Sequence, residues 1–304
     1  MVSNFRNQDE IISGFEVYEN SFKLILGDDP QLVHHATGFE WTEGPAYFVD
    51  GDYLLFSDIP NNKIIKWSDF DGVSVFRESS DFSNGNFVDS KGRLITCQHG
   101  TRNITRTENN GTITNIIDNY QGKKLNSPND LVENSKGDIF FTDPPYGILS
   151  DDEGYKAESE LKENYVFRFR TDRNILEILS DEFDKPNGLC FSPDEKYLYV
   201  TDSGEPGDIK RLELNDDYQV VSSKIFAVIR PGVPDGLRID SNGNIFTSAW
   251  DGIQVLNPLG DLIGKILVPE DRTANCCWGG KLKNRLYITA DKSIYSIILN
   301  TVGL

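Results

Sequence analysis

The sequence predicts an all-β fold, a single six-bladed β-propeller closed by pairing of the N-terminal strand with the C-terminal blade. Two observations carry this expectation. One strand phrase recurs six times, and the runs between its copies are short and strand-like, with no convincing amphipathic helix of more than two turns. Each copy is a Gly, Asp or Asn turn followed by alternating apolar residues that end near Ser or Thr. The copies are GDYLLFSD (51–58), KGRLITCQ (91–98), KGDIFFTD (136–143), PDEKYLYVTD (193–202), NGNIFTSAW (242–250) and NRLYITAD (284–291). A turn leading into period-two alternation reads as a strand. With Ser57, Thr96, Thr142, Thr201, Thr247 and Thr289 as anchors, the intervals are 39, 46, 59, 46 and 42 residues. Such spacing, with several strands per unit, is that of a propeller blade. A long β-sandwich is the competing fold, but its strands would not group so regularly.

Six blades account for residues 1–304 as one domain, with 1–11 expected as a flexible tail or surface segment. The segment Phe15–Leu26 precedes the first phrase and has no blade of its own. It is expected to join the C-terminal strands and close the ring, which removes exposed sheet edges.

Composition narrows the function. Hydrophobic residues at 38% and aromatics at 11% supply a core, so disorder does not describe the chain. No run approaches the roughly 18 to 20 apolar residues of a membrane helix. Residues Met1–Asp9 are polar and lack the apolar centre of a signal peptide. A net charge of −18, from 48 acids against 30 bases, repels phosphate backbones, so neither nucleic acid nor membrane is an expected partner. The four cysteines (97, 190, 276, 277) form no C-x-x-C pair, and the neighbours Cys276 and Cys277 would make a strained disulfide. A reduced, cytoplasmic protein is expected, and the oligomeric state is left open.

About 10 to 14 residues before each anchor stands a polar residue beside a turn-former. These are Glu43, Asn86, Asn129, Asn187, Asp235 and Asn275. In a propeller, equivalent positions of all blades meet around the axis, so the six side chains should converge at one mouth of the channel. Pro-Asn-Gly and Pro-Asp-Gly are also good turn sequences, and any one position alone reads as a turn. Recurrence in register favours a site. All six side chains offer oxygen, which suits a hard cation such as Ca²⁺ or Mg²⁺, while the absence of His and Cys argues against a dedicated zinc site.

The phrases FEWTEGP (39–45), LLFSDIP (54–60), LNSPND (125–130), FTDPPYG (141–147), PNGLCFSPDE (186–195), PDGLRID (234–240) and NCCWGG (275–280) resemble, in order, those of the SMP-30/gluconolactonase/luciferin-regenerating-enzyme family, and within it the microbial gluconolactonases. The resemblance runs from Gly38 to Tyr295. It implies a six-bladed propeller that opens lactone rings with one divalent cation, commonly Ca²⁺, with Mg²⁺, Mn²⁺ or Zn²⁺ as alternatives. It implies Glu43, Asn187 and Asp235 as metal ligands, and Asn129 beside the metal as ligand or substrate contact. Asn86 and Asn275 receive no family role and are expected to be turn or channel-lining residues. The phrase His99-Gly-x-Arg102 is similar to one the family often carries, which makes His99 and Arg102 expected substrate contacts, although a lone His is more often structural. Mammalian relatives have an Arg where this chain has Ser127, so their mode of sugar recognition does not carry over.

Lactone hydrolysis needs a polarised carbonyl, an activated water and a stabilised oxyanion, all within reach of one metal with open positions. Asp235 is the expected general base and Glu43 a charge-balancing ligand. No Gly-x-Ser-x-Gly elbow is present, and Ser203 reads as a turn residue, so a serine nucleophile is not expected. The insertion Leu149–Asn164 lengthens the third interval. Because it follows a second strand, it should overhang the site, as a lid or a solvated loop, with Tyr146 at its root as a pocket wall or a core aromatic. The alternatives to a sugar lactonase are a non-catalytic Ca²⁺-binding propeller and a hydrolase of another ester or an organophosphate at the same site.

Overall fold

The computed structural model describes residues 6–12 and 14–304. Among them, six sheets of four or five antiparallel strands stand around a common axis, with one additional two-stranded hairpin, Asn119–Tyr120 with Lys123–Lys124. The innermost strands, in chain order, are Thr42–Phe48, Ser83–Val88, Leu131–Glu133, Pro186–Phe191, Leu237–Ile239 and Thr273–Gly279. Each touches the next, and the last touches the first, so the ring is closed. Every repeated phrase forms the second strand of its blade.

Alternation explains why these strands are apolar throughout. Successive side chains of a strand point to opposite faces, and in a propeller both faces pack against a neighbouring blade. Phe140 enters the layer between blades three and four, with Leu189, Leu198 and Leu212. Its neighbour Phe141 enters the layer between blades two and three, with Cys97, Ile104 and Phe167. The core is therefore a circle of inter-blade layers. All four cysteines are buried in it as free thiols.

Closure is by an N-terminal strand, but not the expected one. Leu32–Thr37 pairs with Ser293–Ile298 in the sixth blade, Leu32 opposite Ile297 and Thr37 opposite Ser293. The segment Phe15–Leu26 instead does two other things. Phe15–Val17 adds a fifth strand to blade five, Phe15 opposite Ile266, and Asn20–Leu26 is a short helix. Phe22, Ile25 and Leu26 follow helical spacing, one face of a 3.6-residue turn, and bury that face against Ile263 and Ile266. Of the expected tail 1–11, residues 1–5 lie outside the described residues, and Arg6–Ile12 pairs outside Leu32–Thr37 as an edge strand.

What positions the channel is the contact between successive inner turns. Gly188, after Asn187, donates its N–H to the carbonyl of Asp235 in the next blade at 3.1 Å. A Cβ on Gly188 would stand 2.5 Å from that oxygen, and one on Gly44 would stand 2.0 Å from the carbonyl oxygen of Asn84. Gly188 sits inside a strand, so the close approach, not a turn, explains the glycine there. Replacing Gly188 with Ala is expected to lower unfolding free energy by about 1–3 kcal/mol through overpacking. Urea titration measures this, and an unchanged midpoint would contradict the close-contact account.

Candidate functional site

Three of the six anchor hydroxyls staple one blade to the next. Ser57 Oγ donates to Asn84 O, Thr142 Oγ1 to Asn187 O and Thr201 Oγ1 to Asp235 O, each at 2.7 Å. In blade five the anchor position shifts by one: Ser248 Oγ, not Thr247, reaches Ala274 O in blade six, at 2.8 Å. A hydroxyl on the second strand of one blade thus fixes the backbone from which the next blade's polar side chain projects.

Four of the six repeat positions line one cavity of 290 Å³: Glu43, Asn129, Asn187 and Asp235. The other two do not. Asn86 Nδ2 donates to Gly44 O, Ser57 Oγ and Asn84 O, and its Oδ1 accepts from Thr96 Oγ1, so it ties blades one and two together. Asn275 orients a carboxylate: its Nδ2 donates to Glu43 Oε2 at 3.0 Å, while its Oδ1 accepts from the Cys276 N–H. The opposite ends of the same inner strands line a second cavity of 410 Å³, with Tyr47, Phe48, Cys277 and Trp278 in its walls. Arg238 of blade five, which also lines this second cavity, pairs with Asp130 of blade three at 3.3 Å.

The two cavities differ in charge balance. Glu43 Oε2 accepts from the Gly44 N–H at 2.6 Å as well as from Asn275. Even so, burial outweighs these bonds, and with Asp130 and Glu153 nearby it pushes the Glu43 carboxyl up to about 7. Asp235 is raised well above the usual carboxylate range, first by burial and then by the charge of Glu43, against a hydrogen bond from Asn187. Asp130 and Glu153 act on both carboxylates in the same direction as burial, and Arg272 stands in the same cavity wall. Burying like charges side by side is costly unless a counter-charge joins them. The donor chemistry, two carboxylates with the amides of Asn129 and Asn187, fits a hard divalent cation. Among the described residues no three His, Cys, Asp or Glu side chains form a metal-holding group by themselves, so the amide oxygens would have to complete the set.

Tyr146 lines the cavity, its hydroxyl within hydrogen-bonding reach of Ser203 and Asn187, and burial holds its pKa above the usual phenol value. Ser203 itself accepts from Asn187 Nδ2 at 3.0 Å and donates to Pro234 O at 2.6 Å, so its hydroxyl bridges blades four and five. His99 and Arg102 are not in the cavity wall. His99 is fully buried behind Asn84, Nε2 3.3 Å from Asn84 Nδ2 and Nδ1 3.0 Å from Glu153 O. Arg102 Nε donates to Leu125 O at 2.6 Å, on the side of the insertion, with Glu160 3.8 Å from its Nη1. Sequence reasoning missed Glu153, Trp41, Trp250 and Arg272, all of which line the cavity. None occupies the repeated polar position. The expected overhang of the insertion was the one signal pointing towards Glu153.

Burial lowers the His99 pKa from 6.5 to about 4. The unfolded chain therefore takes up this proton first as pH falls. The contribution of neutral His99 is complete above pH 6.5 and is lost between there and pH 4, a difference of about 3 kcal/mol. Urea titrations at pH 7 and pH 4.5 should show His99→Gln losing less stability than wild type over that interval. Equal losses would contradict it.

Comparison with known proteins identifies the family of the chain. A gluconolactonase of Zymomonas mobilis is 35% identical over 298 residues, covering 88% of this chain and 81% of the relative. A solved structure from Xanthomonas campestris, described as a gluconolactonase, is 33% identical and covers 96% of this chain and 98% of that one, with a TM-score of 0.90. Human regucalcin is 26% identical, covering 81% of this chain and 82% of its own. The family profile described as the SMP-30/Gluconolactonase/LRE-like region matches residues 41–292, and this chain belongs to that family.

Proposed function

We propose that the protein is a lactonase that opens a sugar lactone to its hydroxy acid, using a divalent cation, Ca²⁺ being the expected ion, held by Glu43, Asn187 and Asp235 with Asn129 beside them. The observation that carries this reading is the pair of buried, mutually repelling carboxylates facing amide side chains across one cavity. Family membership and a 35% identical gluconolactonase support the reaction class. A cavity of 290 Å³ suits one small ring, at the low end of ligand-site volumes. A cytoplasmic setting is part of the proposal, supported by the four buried free thiols.

When bound, the cation supplies Lewis acidity at the lactone carbonyl and charge balance for the carboxylates. The chain's own residues do the rest. Asp235 accepts a proton from water as the water oxygen bonds to the carbonyl carbon. It returns that proton to the ring oxygen as the ring C–O bond breaks, which leaves a carboxylic acid and a free hydroxyl. Glu43, fixed by Gly44 and Asn275, stays in place as the partner charge. Tyr146 closes one wall beside Asn187 and Ser203.

Proton release from glucono-δ-lactone, corrected for spontaneous opening, tests this reading. Chelation with EGTA and the Asp235→Asn variant should each lower the rate at least about 100-fold. Added Ca²⁺ should raise the melting temperature of wild type and not of Asp235→Asn, as binding to the folded state alone requires. Rates insensitive to both changes would overturn the assignment. A Ca²⁺-stabilised protein that opens no lactone would leave the non-catalytic reading in its place.

A further inference from the structure

The insertion after the second strand of blade three brings to the cavity a carboxylate that belongs to no repeat position. Glu153 lines the same space as Glu43 and Asp235, and its charge acts on both. Its own carboxylate is raised by burial and by Asp152, and no hydrogen-bond donor or cation pulls it back. Its acceptor capacity is therefore unused by the protein.

The backbone beneath it is tightly held. Glu153 O receives a hydrogen bond from His99 Nδ1 at 3.0 Å. A carbonyl can only accept, so Nδ1 carries the proton and Nε2 is the acceptor for the Asn84 amide. Tyr155 N donates to Gly147 O and Ala157 N to Ile148 O, both at 3.1 Å. The Tyr155 ring packs edge-on against Phe82 at 5.3 Å between centroids. Gly154 lies so close to Gly147 that a Cβ would stand 2.1 Å from its carbonyl oxygen. An unsatisfied, half-buried carboxylate on a pinned backbone is a preformed acceptor, aimed at the content of the cavity.

We propose that Glu153 is the residue that selects a polyhydroxylated ring, accepting hydrogen bonds from ring hydroxyls, and that His99 is the positioning residue that holds it there. This assignment rests on the lactonase reading. A site built to bond a hydroxyl rejects an analogue that lacks it, because the site's polar group is then left buried and unpaired. The carboxylate also repels lactones that carry their own negative charge. His99 thus acts on substrate choice without touching substrate, which accounts for its place behind Asn84.

The test is the ratio of kcat/KM for glucono-δ-lactone to that for unsubstituted δ-valerolactone, in wild type and in Glu153→Ala. The ratio is expected to fall about 10- to 100-fold, the range of one hydrogen bond to a charged group. His99→Ala should lower it in the same direction, mainly through KM for the gluconolactone, and His99→Gln, which keeps a donor and an acceptor, should restore part of it. Calorimetry with Ca²⁺ supplies a readout separate from turnover. An unchanged ratio overturns the proposal, and so does an unchanged ratio accompanied by a large loss of Ca²⁺ affinity, which would move Glu153 to the metal. A wild-type protein that opens neither ring overturns the lactonase reading itself, and this assignment with it.

Discussion

The contact between one blade's inner turn and the next decides where every atom of the site stands. From blade one through blade six a glycine, or the hydroxyl of a second-strand Ser or Thr, meets a backbone carbonyl of the next blade at hydrogen-bonding distance, and Thr42 Oγ1 donating to Ser293 O closes the ring. Gly188 and Thr201 of blade four both end on the carbonyl of Asp235, and Thr142 of blade three ends on that of Asn187. The polar side chains of the cavity come from all six blades, so their mutual geometry is a property of the closed ring. Packed interiors transmit displacement rather than absorb it. Altering one inter-blade contact therefore shifts a site residue that lies in the next blade.

Electrostatics divides the channel into two parts. Halfway along it, Asp130 is answered by Arg238, and the charges balance. At the mouth, Glu43, Asp235 and Glu153 line one cavity, and the charge of Glu153 acts on both of the others. Leaving carboxylates buried in this way costs stability that a well-packed apolar mouth would not. Sites that hold such strain are the usual places where chemistry is done. The opposite mouth, walled largely by aromatic and aliphatic side chains above a balanced ion pair, carries no comparable tension.

Much of the fold was legible because propeller blades repeat and the inter-blade layers demand apolar residues on both faces of each strand. Phe15–Leu26 was misassigned because its apolar run satisfies a strand and a short helix equally, and only the packing of Phe22, Ile25 and Leu26 against blade five decides between them. Within the site, the six polar positions were visible as a set, but their different fates were not. Asn86 and Asn275 are the same residue type as Asn129 and Asn187, and differ in which neighbour claims the amide. Glu153 was hidden for the opposite reason: an insertion has no register with the other blades, so periodicity says nothing about it. His99 drew notice as a lone histidine in a motif, yet its role is set by a carbonyl 54 positions away in sequence.

The central claim is that Glu43, Asn187 and Asp235, with Asn129 beside them, surround one hard cation at the mouth of the ring. The most direct measurement is anomalous diffraction from crystals soaked in Mn²⁺, followed by Ca²⁺ replacement. The account predicts one strong peak in the cavity, with the carboxylate oxygens of Glu43 and Asp235 and the amide oxygen of Asn187 at about 2.3–2.6 Å from Ca²⁺. A peak elsewhere on the molecule with an empty mouth, or an ion held by Glu153 without Asp235, would contradict it.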